Sequence, residues 1–359
     1  MSISAVIFGV AGPKLTAAEK VFFRDVNPWG FILFSRNIER PEQVRRLCAE
    51  LRSVVGRDCL IFIDQEGGRV RRLRPPHWRN YPAASKFAQL PVSPDLQKRA
   101  AFLGHRLMAD DLRQLGITAD CAPVLDVPLK GADPIISDRA FASNVADIAS
   151  FAHAAMAGLM MGGVVPVIKH IPGHGRAKVD SHKALPKIEV SRQTLEKTDF
   201  LPFRLLDQAP MAMTAHAVYT HNSRSAVTVS RKSMTELVRA AIGFDGLVMT
   251  DDLNMKALNG SLTKRTERSL KAGCDIALQC SGKMADMVKV AKGAIALEGR
   301  ALSRAKIAER CADHMTPFDR ELAEAQFDAL MAQADDVYTN KLPDPTETIR
   351  PSRTLAEAV

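Results

Sequence analysis

Two stretches of the chain bring carboxylates, imidazoles and cations together at spacings that suit acid–base chemistry. The first is Lys169-His170-Ile-Pro-Gly-His174-Gly, followed by Asp180-Ser181-His182. An Asp two residues before a His can accept its ring N–H, fix the tautomer and raise its basicity. Pro172, Gly173 and Gly175 make this stretch a non-helical loop. The second is Thr250-Asp251-Asp252-Leu253-Asn254, where two adjacent carboxylates close an apolar run. Neighbouring side chains on a strand point to opposite faces, so one of the two is expected to be chemical and the other structural, capping the helix that follows. Alone, an Asp-x-His pair is a weak signal and more often a surface pair.

The same closure recurs along the chain. Apolar runs end at Asp64-Gln65-Glu66-Gly67-Gly68-Arg69, at Asp126, at Lys169-His170, at His216 and at Asp251. One charged residue at a strand end is ordinarily a solvated loop. Five at the C-terminal ends of successive parallel strands converge on one mouth of a barrel, where barrel enzymes place their chemistry. His170, His174, His182 and His216 raise the question of zinc. No His-Glu-x-x-His is present and no His-x-His closes the first strand, which argues against a metal-dependent hydrolase. Neither a metal nor a cofactor is expected.

The elements that must position these residues are legible as eight short apolar or β-branched runs. They lie near 3–9, 30–35, 59–64, 117–125, 164–170, 211–217, 246–251 and 274–279. Between them, periodicity predicts helices: 17–26 with Val21, Phe22 and Val26 on one face, 42–55 with Val44, Leu47, Leu51 and Val55, and 97–114 with Leu103, Leu107 and Leu112. Strand–helix alternation implies a parallel sheet buried on both sides. Eight units predict an α/β fold, a (β/α)8 TIM-type barrel in a single domain; an open doubly wound sheet is the alternative. We expect the barrel over 1–300, C-terminal helices packed on it over 301–340, and an extended or disordered Pro- and Thr-rich tail over 341–359.

Bulk properties narrow the class. The chain has 359 residues, 46% hydrophobic and 25% charged, as in soluble globular proteins. No apolar run reaches the roughly 18 residues of a membrane span. The N-terminal run lacks the basic start of a signal peptide and reads as a buried first strand. Six cysteines without Cys-x-x-Cys spacing suggest reduced, mostly buried thiols and a cytoplasmic protein. The formal charge of +9 is either a solvated basic surface or a field for an anionic ligand. Its cations are dispersed, and the densest group, Arg69, Arg71, Arg72 and Arg74, lies beside a site motif rather than forming a nucleic-acid face. No nucleic acid or membrane partner is expected, and a monomer is.

Taken together, Lys-His-Ile-Pro-Gly-His-Gly with Asp-Ser-His, Ile-Asp-Gln-Glu-Gly-Gly-Arg-Val upstream and Thr-Asp-Asp-Leu-Asn-Met downstream closely resemble glycoside hydrolase family 3. The resemblance covers about residues 3–300 and, within the family, points to the bacterial β-N-acetylhexosaminidases of cell-wall recycling. It implies a retaining mechanism with a covalent glycosyl-enzyme intermediate. By matching motifs, Asp251 is the nucleophile, and His182 oriented by Asp180 is the acid/base. Asp64, Arg72, Arg139, Lys169 and His170 are implied to bind the sugar, and His216 is expected on the pocket wall. Lys169 is expected to favour the charged form of Asp251. His174 is expected to shape the loop.

The implied substrate is a small molecule, terminal β-linked GlcNAc on anhydro-N-acetylmuramic fragments. Arg176 departs from the acidic or small residue frequent in the family. The basic loop it creates is expected to alter loop mobility or contact with an anionic leaving group. A family 3 phosphorylase, a β-glucosidase, hydrolysis assisted by the substrate's own 2-acetamido group, and a non-catalytic sugar-binding barrel are the other readings. The β-glucosidase branch usually carries a second domain and a carboxylate acid, and a binding protein would have lost the nucleophile or the dyad.

Overall fold

Continuous apolar runs make poor surface strands and good interior ones. In the computed structural model, which describes residues 2–339 and 342–345, they become β1 Ser4–Gly9, β2 Pro28–Leu33, β3 Leu60–Ile63, β4 Ala119–Asp120, β5 Val165–Ile171, β6 Lys187–Ile188, β7 Met211–Thr214, β8 Val218–Tyr219, β9 Leu247–Met249 and β10 Ala277–Gln279. Eight of them form one sheet in the order β10-β1-β2-β3-β4-β5-β7-β9, with every pairing parallel. A parallel bridge between Met249 and Ile276 brings the two ends of the sheet together. The fold is a (β/α)8 barrel in a single domain. All residues of β2, β3 and β5 are buried, as a sheet covered on both faces requires.

The eight expected strands are all present. β6 and β8 were not expected; they pair with each other in parallel outside the barrel. β6 closes the long excursion after β5 that carries the Asp180–His182 pair, and β8 follows β7.

Helices surround the barrel and start where local chemistry favours it. Thr16 and Glu19 form a capping box at the helix Ala17–Val26. Ser93 caps Pro94–Gln114, which also has Pro at its first position. In the first of these the inward face is not the expected one. Phe23 and Glu19 are buried, Phe22 and Val26 are half-buried, and Val21 is 49% exposed. Residues 19, 22, 23 and 26 share a stripe at the helical repeat; residue 21 lies off it.

Two further helices follow the barrel, Gly299–Cys311 and Arg320–Met331. The first is tied to the barrel where Trp29 Nε1 donates to Glu309 Oε1 at 2.7 Å. The second places the buried Phe327 against Tyr81 and Phe87. All six cysteines are free thiols; five are buried and Cys311 is half-buried. Of the tail expected over 341–359, residues 341 and 346–359 lie outside the described residues. No helix among the described residues is long and apolar enough to cross a membrane.

Candidate active site

The C-terminal ends of the barrel strands line one cavity, and the strand-end residues meet there. Its wall includes Asp64 after β3, Lys169 and His170 on β5, Met213 on β7, Asp251 after β9 and Leu278 on β10. Ile135, Ile136 and Arg139 come from the long connection after β4, and His174, Ser181 and His182 from the loop after β5. Polar groups therefore converge on an otherwise apolar pocket, the usual form of a small-molecule site.

On one side, buried charges alternate in a ladder. Lys169 Nζ lies 3.0 Å from Asp64 Oδ1 and 2.6 Å from Glu66 Oε1. Glu66 in turn accepts both prongs of Arg139, at 2.7 and 2.8 Å. Arg72 Nη2 holds the second oxygen of Asp64 at 3.0 Å. Burial would raise the Asp64 and Glu66 carboxyls, but Lys169 with Arg72 and Arg139 outweighs it and holds both below the usual carboxylate range. The loop that presents Asp64 and Glu66 needs glycine: Gly67 has φ of +90°, and a Cβ there would fall 2.4 Å from the Pro82 carbonyl oxygen.

Opposite the ladder stands Asp251. Its Oδ1 accepts the Asp252 backbone N–H at 2.8 Å. Burial alone would raise this carboxyl, yet the fields of His216, His170 and His182, with that N–H, hold it below the ordinary carboxylate range. The charged form is thus favoured by imidazoles. Lys169, expected in this role, has its ammonium between Asp64 and Glu66 instead.

Asp252 is the structural partner of the pair, but not as a helix cap. Its Oδ1 accepts N–H groups of Asn254 and Cys280, both at 3.1 Å, and ties the loop after β9 to the end of β10. Ser261 caps the next helix, Leu262–Ala272. Burial pushes the Asp252 carboxyl up to about 6.

His170 is aimed by Asp126, whose Oδ2 lies 2.6 Å from its Nδ1. The other Asp126 oxygen accepts the His174 backbone N–H at 2.6 Å, so a single buried carboxylate fixes both the strand end and the start of the following loop. That loop is seated closely. A Cβ on Gly175 would fall 1.9 Å from the Val127 carbonyl oxygen. The Asp133 N–H donates to the Ala177 carbonyl at 2.8 Å, and the Ala257 N–H to the Ser181 carbonyl at 3.2 Å.

At the loop's end, His182 Nδ1 lies 2.8 Å from Asp180 Oδ1, and the same oxygen accepts the His182 backbone N–H at 2.8 Å. Burial disfavours the imidazolium, but the Asp180 hydrogen bond and the Asp251 field raise His182 above the ordinary imidazole value. Asp180, for which burial opposes ionisation, is held low by the same bonds.

Two placements depart from the sequence reading. His216 is fully buried behind Asp251; its Nδ1 lies 2.7 Å from Thr228 Oγ1 and its Nε2 3.1 Å from the Asp252 carbonyl. With both nitrogens occupied, it does not line the cavity. Arg72 stands behind Asp64 rather than on the wall. Of the two effects expected of Arg176, its contacts favour the one on the loop: its Nε is paired with the buried Asp199 at 2.6 Å and its Nη2 donates to Thr198 at 2.8 Å, anchoring the loop.

The sequence reading missed Glu66, whose signal was its place two residues after Asp64. It also gave His174 only a shaping role. His174 lines the cavity, is 4% exposed, and has neither ring nitrogen hydrogen-bonded. Burial pushes it down to about 4, so it is a neutral imidazole. Among the described residues, no cluster of three His, Cys, Asp or Glu side chains is arranged to hold a metal ion.

A (β/α)8 barrel with carboxylates and an Asp–His pair at the C-terminal mouth is the architecture of a barrel enzyme. Residues 10–312 match the glycosyl hydrolase family 3 N-terminal domain, and the chain belongs to that family. It is 35% identical over 282 residues to a β-hexosaminidase of Pseudomonas aeruginosa, covering 78% of this chain and 83% of the relative. A β-hexosaminidase of Alkalilimnicola ehrlichii is 37% identical over 288 residues, covering 78% and 82%. Native NagZ from Neisseria gonorrhoeae has a similar structure, with a TM-score of 0.81, 30% identity, and coverage of 94% of this chain and 99% of that one. The same protein in complex with N-trifluoroacetyl-D-glucosamine matches equally well.

Proposed function

We propose that this protein is a retaining β-N-acetylhexosaminidase that removes terminal β-linked GlcNAc, with Asp251 as nucleophile and His182 as acid/base. The observation that carries this reading is the pairing of two groups on one cavity. Asp251 is held ionised, and His182 is held protonated towards higher pH by Asp180. The β-hexosaminidase relatives and the neighbour bound to a glucosamine derivative support the sugar class.

In the first step, the Asp251 carboxylate attacks the anomeric carbon while His182 protonates the departing oxygen. The bond from the anomeric carbon to the leaving oxygen breaks and an ester to Asp251 forms. In the second step, neutral His182 takes a proton from water, which attacks the same carbon and returns the carboxylate. Glycosidases usually use a carboxylic acid of raised pKa here. An imidazole titrates near neutrality without that help, so it can sit on a loop.

Asp64, Lys169, His170 and Arg139 would bind the sugar hydroxyls, with Arg72 acting through Asp64. Neutral His174 offers one donor and one acceptor to an uncharged group of the sugar. The physiological substrate we propose is a GlcNAc–anhydromuramic fragment of cell-wall turnover, acted on in the cytoplasm.

Hydrolysis of p-nitrophenyl β-GlcNAc that disappears in Asp251→Ala is the test. Full activity in that variant would refute the nucleophile. Release of GlcNAc-1-phosphate in phosphate buffer would instead indicate a phosphorylase.

A further inference from the structure

The arginine-rich loop after β3 meets a segment from the far end of the chain. Arg72 Nη1 lies 2.9 Å from Asp344 Oδ2, and Arg74 Nη2 lies 3.6 Å from the same oxygen. Arg69 Nη1 donates to the Pro343 carbonyl at 3.1 Å. The Asp344 side chain is 4% exposed and that of Arg72 is 2%. This is a buried pair, not the solvated kind that contributes little. Within the arginine group at 69–74, Arg69 pairs with Asp138 and Arg71 with Asn80, while Arg72 and Arg74 meet Asp344.

Arg72 is forked between two carboxylates, Asp344 on Nη1 and Asp64 on Nη2. The chain of direct contacts runs Asp344–Arg72–Asp64–Lys169–Glu66–Arg139 and alternates in sign throughout. Without Asp344, this ladder has three cations against two carboxylates. With it, the three cations of the ladder face three carboxylates, and the more exposed Arg74 also leans on Asp344. A buried guanidinium that loses one of its two carboxylates is disfavoured. A guanidinium with one free prong would also be free to turn away from Asp64.

We propose that Asp344 is a positioning residue of the sugar pocket. It balances Arg72, fixes the guanidinium against Asp64, and thereby aims the Asp64 carboxylate at the sugar hydroxyls. The segment Pro343–Asp344 acts as a strap from outside the barrel, 272 residues from Arg72 along the chain. The proposal rests on reading the cavity as a GlcNAc site. The opposite role, a tail anion that competes with the sugar for Arg72, predicts the opposite sign.

The test uses the full chain with Asp344→Asn, which keeps the shape, and Asp344→Ala. With p-nitrophenyl β-GlcNAc, KM rises about tenfold in both while kcat changes less than about threefold, since binding is lost without the chemical groups. The constant for competitive inhibition by free GlcNAc rises by the same factor, and the melting temperature falls, because buried Arg72 loses one of its two carboxylates. A lower melting temperature with KM unmoved would reduce Asp344 to a stabilising contact and overturn the proposal. A fall in KM would also overturn it and make the segment an inhibitor. A wild-type protein inert on every GlcNAc glycoside would refute the glycosidase reading and the strap together. Unchanged KM in an active enzyme would refute only the strap.

Discussion

His182 Nδ1 and Asp180 Oδ1 lie 2.8 Å apart, so the imidazole donates from Nδ1 and Nε2 is the nitrogen left for the proposed proton transfer. The first step requires His182 protonated and Asp251 ionised. Because His182 is raised above its ordinary value, the basic limb of kcat/KM lies above about 6.5. Because Asp251 is lowered, the acid limb lies below about 4. In Asp180→Asn the stabilising charge is gone, so the basic limb moves to lower pH. A pH profile of both proteins measures this, and an unmoved limb would contradict the dyad.

Loss of His182 is expected to depend on the leaving group. A positioned general acid contributes about 10²–10⁴-fold, and only where the departing oxygen needs a proton. His182→Ala therefore slows release of a sugar alcohol far more than release of p-nitrophenolate in the glycosylation step. Comparing kcat/KM for the two substrate types checks it. Equal losses would remove His182 from the acid role.

Glu66 holds two cations in the interior, and its removal leaves Arg139 without its carboxylate and Lys169 with Asp64 alone. Glu66→Ala is expected to destabilise the fold by about 3–5 kcal/mol, the usual consequence of breaking a buried ion pair. The measurement is chemical denaturation at neutral pH. Asp64 and Glu66 both have folded-state values below their unfolded ones. The stability they contribute is thus fully present above the unfolded values near 4 and is lost as pH falls through the folded ones. Denaturation midpoints that do not fall on acidification would contradict this.

Arg176 pins the loop that delivers His182, and Asp199 is 1% exposed at the other end of that pin. Arg176→Ala leaves this carboxylate buried without its partner. Faster amide exchange across 172–182 is expected, with a drop of about tenfold or more in kcat/KM from misplaced chemistry. Unchanged exchange would show that the other loop contacts suffice.

The barrel was legible because buried parallel strands are apolar throughout, and eight such runs with helical text between them leave few architectures. The strand-end residues were legible for the same reason: Asp64, Lys169 and Asp251 interrupt runs that otherwise exclude charge. What periodicity could not show was partnership. Lys169 meets Asp64 across 105 residues and Glu66 meets Arg139 across 73. The expectation that Lys169 would serve Asp251 failed because a closer pair of carboxylates holds it. His216 misled because a strand-end imidazole can face the cavity or the packing behind it, and Thr228 and the Asp252 carbonyl decide in favour of the second. Val21 was assigned to a buried face on hydrophobicity alone, although the helical repeat favours Phe23.

The covalent intermediate is tested most directly by trapping. A 2-deoxy-2-fluoro glycoside with a good leaving group should inactivate the enzyme. It should add the mass of one fluorosugar, located by peptide mapping on Asp251. Turnover of GlcNAc glycosides with no adduct formed, or an adduct on another residue, would contradict Asp251 as nucleophile and favour assistance by the substrate's own acetamido group.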